Sequence, residues 1–311
     1  MECAMTRFQS GVIAEANADA LFITLNIVRL REASGRLRRV LAEIPATELK
    51  FRQQYPDVDM HITIAIGSEY WDQLSPDQRP AQLTAFPALS NGDIKMPHTP
   101  VDLLLHIRSG RHDLNYEASV LLTEKLGDDV TLAEEIHGFR YLDSRDLTGF
   151  VDGTENPEGE HRAEVALVGD EDPAFSGGSY IHLQRYEHDL NAWNQITVKQ
   201  QEDILGRTKK DNREYASADK AAFAHTRRAS LKDSEGRSIE ILRHSMPYGN
   251  LRQKGLMFAS YCRSPEPYTK ILESMVLGDS SGHHDHLMNF TTAVTGQAFF
   301  APSPQWLENL A

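Results

Sequence analysis

One acid in the sequence has an unusual setting. Asp152 follows Phe150 and Val151 and precedes Gly153 in the stretch TGFVDGTENP. Glycines and an Asn-Pro pair are turn signals, so this stretch is predicted to be neither helix nor strand. A calcium loop of the EF-hand type needs glycine at its sixth position, where this chain has Pro157. Composition alone therefore favours a structural turn over a chemical site.

Histidine is the second residue type that could carry chemistry, and the chain has 13 of them. The tract HHDH at 283–286 could bind a metal, although a solvated helix start after the Ser-Ser-Gly turn is commoner. His225, in AFAHTRRASL, lies in a long connection before a predicted strand, and connections often carry functional residues. The motifs CxxCH, GxGxxG, Walker A, GxSxG and HExxH are all absent.

Charge and composition exclude several classes of partner. The chain has 32 Lys and Arg against 45 Asp and Glu, a net charge of −13. Nucleic acids and anionic membranes both require clustered cations, so neither is expected as a partner. No apolar run approaches the roughly 18 residues of a membrane span. The N-terminus has no apolar signal core, and Cys3 and Cys262 lie far apart, which predicts a cytoplasmic protein.

The apolar pattern predicts an α+β protein made of two similar halves. Apolar runs in the first half predict the order β-α-β-β-α-β at 20–28, 37–44, 60–67, 102–108, 115–126 and 130–138. Pro45 is expected to end or kink the first helix. The second half repeats the order at 178–186, 190–205, 238–244, 256–262, 267–277 and 297–301. Each half is therefore predicted to be ferredoxin-like, with an antiparallel sheet, in domains 1–148 and 149–311.

Six sequence motifs carry more information than any single residue. In chain order they are GFVDGTENP, GGSYIHLQRYEHDL, ILGRTK, the AHTRR histidine, ILRHSMPYG and TTAVTGQAFFAPS. Together they resemble the dye-decolourising haem peroxidases, and most closely the short bacterial cytoplasmic type. The resemblance implies two ferredoxin-like halves, in agreement with the apolar pattern. It also implies a non-covalent haem b in the C-terminal half and a homo-oligomer.

The resemblance gives roles to particular residues. Asp152 matches the distal aspartate, Arg243 the distal arginine, and Ser245 a small polar residue near the distal pocket. These three are the expected catalytic residues. His225 matches the proximal ligand of the haem iron, and Asp285 matches the acid on its other ring nitrogen.

Other positions are expected to contact the cofactor. Phe258 matches an apolar residue beside the haem, and Arg207 is expected to bind a propionate. Gly153 and Thr154 belong to the same turn as the distal aspartate and are expected beside the haem. His244 replaces an expected glutamine, and strand alternation predicts that it faces away from the pocket.

These assignments predict a haem b peroxidase that uses hydrogen peroxide to oxidise bulky organic donors, such as dyes and phenols, in one-electron steps. Asp152 would move a proton, and Arg243 would stabilise the negative charge on the departing oxygen. Donors too large for the pocket would pass electrons through surface residues such as Tyr186 or Trp193.

Two alternatives stay open from the sequence. A haem- or porphyrin-handling protein without turnover would need His225 but neither of the distal residues. A haem-free module would instead bind a metal at the tract 283–286.

Overall fold

The computed structural model describes residues 7–28 and 35–311. Cys3 lies outside these ranges, and Cys262 is buried with a free thiol. Within the described ranges, no helix has both the length and the apolar character needed to cross a bilayer.

The first half has the predicted order with three short additions. It contains β1 (Asp19–Ile27), α1 (Gly35–Gln54), β2 (His61–Gly67), α2 (Trp71–Leu74), β3 (Leu89–Asn91), β4 (Ile94–Met96), β5 (Leu103–Ser109), α3 (His112–Leu126) and β6 (Val130–Phe139). Pro45 was expected to end or kink this helix, and it does not end it, because α1 continues through the proline. Its buried face extends beyond that point to Phe51, so packing outweighs the hydrogen bond lost at proline.

The second half has more helices and strands, and shorter ones, than its apolar pattern predicts. It contains α4 (His161–Ala166), β7 (Ser179–His188), α5 (Leu190–Gln195), α6 (Val198–Leu205), α7 (His225–Ala229), β8 (Leu242–Arg243), β9 (Met246–Gly249), β10 (Lys254–Cys262), α8 (Glu266–Val276), β11 (Thr291–Ala293), β12 (Gln297–Ala301) and α9 (Pro304–Glu308). The single helix expected at 190–205 is two helices, because Thr197 and Gln200 form a capping box that starts α6. The strand expected at 238–244 is reduced to the two residues of β8.

Except for β3 and β4, which pair with each other, the strands of the two halves form one closed, antiparallel sheet. The first half contributes the order β2-β5-β1-β6, and the second contributes β12-β7-β10 with β9 and β8 on the far side of β10. Each is the strand order of a ferredoxin-like unit. The halves join where Phe300 pairs with Ile66 and where Gly138 pairs with Tyr248.

The inner and outer faces of this sheet have different surroundings. Phe22, Leu104, Ile181 and Tyr261 belong to one buried apolar cluster between the two halves. The outer face of the first half packs against α1 and α3. The outer face of the second half is only partly covered by α8, and the remaining space beside β7 and β10 is a cavity.

Candidate active site

A cavity of about 300 Å³ lies on the outer face of the second half. This volume is at the lower end of the range for cofactor pockets, roughly 300–1,000 Å³. Seven of the predicted site residues line it: Asp152, Gly153, Thr154, Arg207, His225, Arg243 and Phe258. Ser245 and Asp285 are not among its lining residues. The fold thus brings together residues that are up to about a hundred positions apart in the chain.

His225 is held by a carboxylate from another segment. It is the first residue of α7, and its Nδ1 lies 2.6 Å from Oδ2 of Asp285. Asp285 is fully buried, and its Oδ1 accepts the backbone N–H of Leu287 at 2.9 Å. A carboxylate on one imidazole nitrogen fixes the ring and raises the basicity of the other. Nε2 of His225 has no hydrogen bond within the described residues, so it is available to a metal.

The turn that carries Asp152 has a specialised backbone. Oδ1 of Asp152 accepts the N–H of Gly153 at 2.7 Å. Gly153 has a φ of +77° and Gly149 a φ of +89°, values that side-chain-bearing residues rarely adopt. The turn therefore depends on both glycines, and it presents the aspartate carboxylate to the cavity.

Asn156 joins this turn to the strand that carries Arg243. Its Oδ1 accepts the N–H of Arg243 at 3.0 Å, and its Nδ2 donates to the carbonyl of the same residue at 2.8 Å. The same Oδ1 lies 3.5 Å from Nε of Arg243. One amide side chain thus fixes the main chain of Arg243 relative to the Asp152 turn. Asn156 lies within the first motif, but this role was not predicted from the sequence.

The two residues after Arg243 face different surroundings. His244 is buried on the opposite face, as strand alternation predicts, where its Nδ1 is 2.7 Å from Nη1 of Arg108. Burial, followed by the nearby guanidinium of Arg108, lowers the pKa of His244 well below its ordinary value. The hydroxyl of Ser245 accepts the backbone N–H of Ala259 at 3.2 Å. Ser245 therefore bonds to β10 next to Phe258, which lines the cavity.

Arg207 reaches the cavity from the end of α6. The residue is 6% exposed, and its Nε is buried without a hydrogen-bond partner in the described residues. Its Nη2 lies 3.5 Å from Glu155 and 3.8 Å from Glu214, both long for ion pairs. Thr154, by contrast, is exposed and accepts a hydrogen bond from Asn212 at 3.0 Å. Arg207 thus retains a buried donor for an anionic group.

A polar chain on the cavity wall was missed from the sequence. Nε2 of His188 lies 3.1 Å from Oδ1 of Asp146, and its Nδ1 lies 2.8 Å from the hydroxyl of Thr291. All three residues line the cavity. Burial alone would raise the pKa of Asp146, but hydrogen bonds from His188 and Thr148 hold it below its ordinary value. The sequence signal was weak because these residues come from separate segments.

The expected surface electron donors are wrong, and the alternative of a metal at the HHDH tract finds no support. Tyr186 and Trp193 are 6% and 1% exposed, so neither is a surface residue that a bulky donor can touch. In the HHDH tract, Asp285 is engaged by His225, and the ring of His286 stacks on Phe223 at 4.0 Å. The tract does not appear among the metal-ligand clusters of the described residues.

Comparison with known proteins identifies the family. The model of the Dyp-type peroxidase N-terminal domain matches residues 9–140, and that of the C-terminal domain matches 143–305. This chain belongs to the Dyp-type peroxidase family. It is 38% identical over 300 residues to a dye-decolorizing peroxidase of Mycolicibacterium paratuberculosis, covering 96% of this chain and 84% of the relative.

Solved structures confirm the fold of this Dyp-type peroxidase. A dyp-type peroxidase protein of Shewanella oneidensis is 50% identical, with a TM-score of 0.95 and coverage of 98% of this chain and 99% of that one. A variant of DypB from Rhodococcus jostii RHA1, solved in complex with heme, is 37% identical, with a TM-score of 0.91 and 96% of each chain covered. The predicted ferredoxin-like α+β class and the predicted peroxidase activity are therefore confirmed.

Proposed function

We propose that this peroxidase binds one non-covalent haem b in the cavity, with His225 as the iron ligand, and oxidises bulky organic donors with hydrogen peroxide. The observation that carries the proposal is the 2.6 Å contact between His225, which lines the cavity, and the buried Asp285 behind it. Iron-ligating histidines typically donate their second nitrogen to a carboxylate in this way.

The cavity residues suit a haem on two further grounds. Apolar side chains, including Phe150, Leu256 and Phe258, line the cavity and provide contact for a flat porphyrin. The orphaned buried Nε of Arg207 suits a propionate, because a guanidinium binds carboxylates through several N–H groups. When bound, the haem supplies the electrons that reduce peroxide and takes them back singly from the donor.

Asp152 is the residue that we assign to proton transfer. Oδ1 of its carboxylate is occupied by the N–H of Gly153, whereas Oδ2 has no partner within the described residues. Oδ2 would therefore take the proton from bound peroxide and return it to the oxygen that leaves as water. The rigid turn holds the carboxylate in place during both transfers.

Arg243 is the residue that we assign to charge stabilisation. Its guanidinium lies at the cavity, and its main chain is fixed by Asn156. A preorganised cation stabilises the negative charge that develops on the departing oxygen. Ser245 supports the wall next to it through Ala259, and Thr154 and Gly153 complete the rim of the turn.

The test is the rate of the first reaction with peroxide, followed by stopped-flow absorption of the haem-loaded protein. Asp152→Ala and Arg243→Ala should each slow this step by roughly 10²–10³-fold, the usual contribution of such groups. Asp170→Ala and Arg252→Ala change exposed residues of the same types and should leave the rate unaltered.

Three outcomes separate the possibilities. Wild-type rates in both cavity variants would show that the assigned roles are wrong. A Soret band that does not change with stoichiometric peroxide would favour the non-catalytic haem-handling alternative. Metal without haem in the purified protein would contradict the cofactor assignment.

The oligomeric state of the enzyme and its cellular location stay predictions. Hydrogen peroxide and an organic donor follow from the peroxidase family. The homo-oligomer rests on the sequence resemblance, and the cytoplasmic location is the expectation drawn from the sequence composition. Size-exclusion chromatography with light scattering tests the homo-oligomer directly.

A further inference from the structure

Two imidazoles and one carboxylate converge in the first half, outside the cavity. Asp19 begins β1, His112 begins α3, and His137 lies on β6. Their ligand atoms all lie within 4.8 Å of one another. We propose that these three residues form a binding site for a divalent transition metal of the zinc class.

The fold fixes the position of the carboxylate. Asp19 pairs with Phe139, while His137 pairs with Leu21, so Asp19 and His137 share a face of the sheet. Asn115, one turn into α3, donates its Nδ2 to Oδ1 of Asp19 at 2.8 Å. Such a hydrogen bond to a ligating carboxylate is the usual support of a metal site.

The three ligand atoms lie close enough together for one tetrahedral metal ion. Zn²⁺ binds nitrogen and oxygen at about 2.0–2.2 Å, which places neighbouring ligand atoms roughly 3.3 Å apart. Nδ1 of His112 lies 3.3 Å from Oδ1 of Asp19, and Nε2 of His137 lies 2.5 Å from Oδ2. The second value is a hydrogen-bond distance, so Nε2 of His137 and Oδ2 would have to separate by roughly 0.8 Å if both bound one ion. The ring centroids of the two histidines are 4.0 Å apart. Water would fill the fourth position.

The charges around Asp19 support the assignment independently. Asp19 is 8% exposed, and within the described residues its ion-pair partners are His112 and His137, with no lysine or arginine. Buried carboxylates are rarely left without a cation. The side chains of His112 and His137 are 52% and 42% exposed, so an ion can reach the carboxylate from solvent. The side-chain oxygen of Asn115 is also buried without a hydrogen-bond partner.

The site is separate from the proposed haem site. None of its three residues lines the cavity, and all three belong to the first half. The ion would hold together the start of β1, the start of α3 and the end of β6. Its expected effect is on the stability of that half.

The test is calorimetric titration of the haem-loaded protein with Zn²⁺, with metal analysis after dialysis. We expect one saturable Zn²⁺ per chain and a higher Tm when it is bound. His112→Gln and His137→Gln change exposed side chains, so the protein should fold with a normal Soret band. Each should weaken Zn²⁺ binding at least about tenfold, since losing even a supporting residue costs 10–100-fold.

Two matched variants distinguish this site from other histidines. His161→Gln removes an imidazole that also contacts two carboxylates, Glu164 and Glu240, but through opposite ring nitrogens. His283→Gln tests the HHDH tract. Both should leave Zn²⁺ binding unchanged. Absence of saturable binding, binding that survives either His112→Gln or His137→Gln, or binding lost in a control variant would overturn the proposal.

Discussion

Substituting Asp285 by asparagine distinguishes the roles of its two hydrogen bonds, one to Leu287 and one to His225. Oδ1 accepts the Leu287 N–H at 2.9 Å, and Oδ2 lies 2.6 Å from Nδ1 of His225. Asparagine caps a helix start as well as aspartate does, so its oxygen should keep the Leu287 bond. Its NH₂ group then faces Nδ1 and donates to it. The histidine proton must move to Nε2, the nitrogen that we assign to iron.

The substitution is expected to change haem affinity much more than the stability of the fold. In Asp285→Asn both hydrogen bonds survive in altered form, so the free energy of unfolding should change by less than about 0.5–1.5 kcal/mol, the net value of one bond. Haem affinity should fall by about 10–100-fold, as for other partners of metal-ligating histidines. Asp285→Ala should in addition lose about 1 kcal/mol of stability, because it removes the cap.

Haem affinity is measured by Soret titration of the haem-free chain, and stability by urea unfolding. The midpoint potential of the iron should also rise in Asp285→Asn, since a negative charge next to the ligand is removed. Asp279→Asn is the control, because Asp279 also accepts backbone N–H groups, those of Ser281 and His283, but makes no hydrogen bond to His225. Unchanged haem affinity and potential in Asp285→Asn would refute the assignment of His225 as ligand.

Two further predictions concern residues away from the ligand pair. Asn156→Ala removes both hydrogen bonds to the main chain of Arg243, so stopped-flow mixing with peroxide should show a rate lowered by up to about 100-fold, through misplacement of the guanidinium. An unchanged rate would show that Asn156 does not position it. Burial lowers the pKa of His182 to about 3, from an ordinary 6.5 in the unfolded chain. Between these two values the unfolded state binds a proton that the folded state does not bind. This contribution to the free energy of unfolding is therefore complete above pH 6.5, and it decreases towards pH 3 by up to about 1.4 kcal/mol per pH unit. Urea unfolding of His182→Gln should show a shallower decline between these values, and an equal slope would contradict this account.

The long elements of the fold could be predicted because their burial pattern is regular. β1, β2, β5 and β10 are buried along most of their length, and the apolar residues show it. The segment 238–249 could not be predicted, since it divides into β8 and β9 with an interruption at His244 and Ser245. The short hairpin of β3 and β4 lies in a Pro-rich stretch whose few residues carry too little pattern.

Only part of the site could be predicted from the sequence. Asp152, His225 and Arg243 stand in ordered motifs, so resemblance could find them without knowledge of the fold. Asn156 contacts a residue 87 positions away, and His188 contacts one 42 positions away. Local sequence patterns do not predict such contacts, because the topology of the sheet determines which distant residues meet.

Closure of the sheet has a consequence for solubility. At the two joins between the halves, β12 covers the edge of β2, and β9 covers the edge of β6. An isolated half would present these edges with unpaired N–H and C=O groups, which promote association with other chains. Each half therefore protects the other from aggregation, although the joins themselves consist of only a few residue pairs. Separate expression of either half should yield insoluble protein, whereas co-expression should recover it.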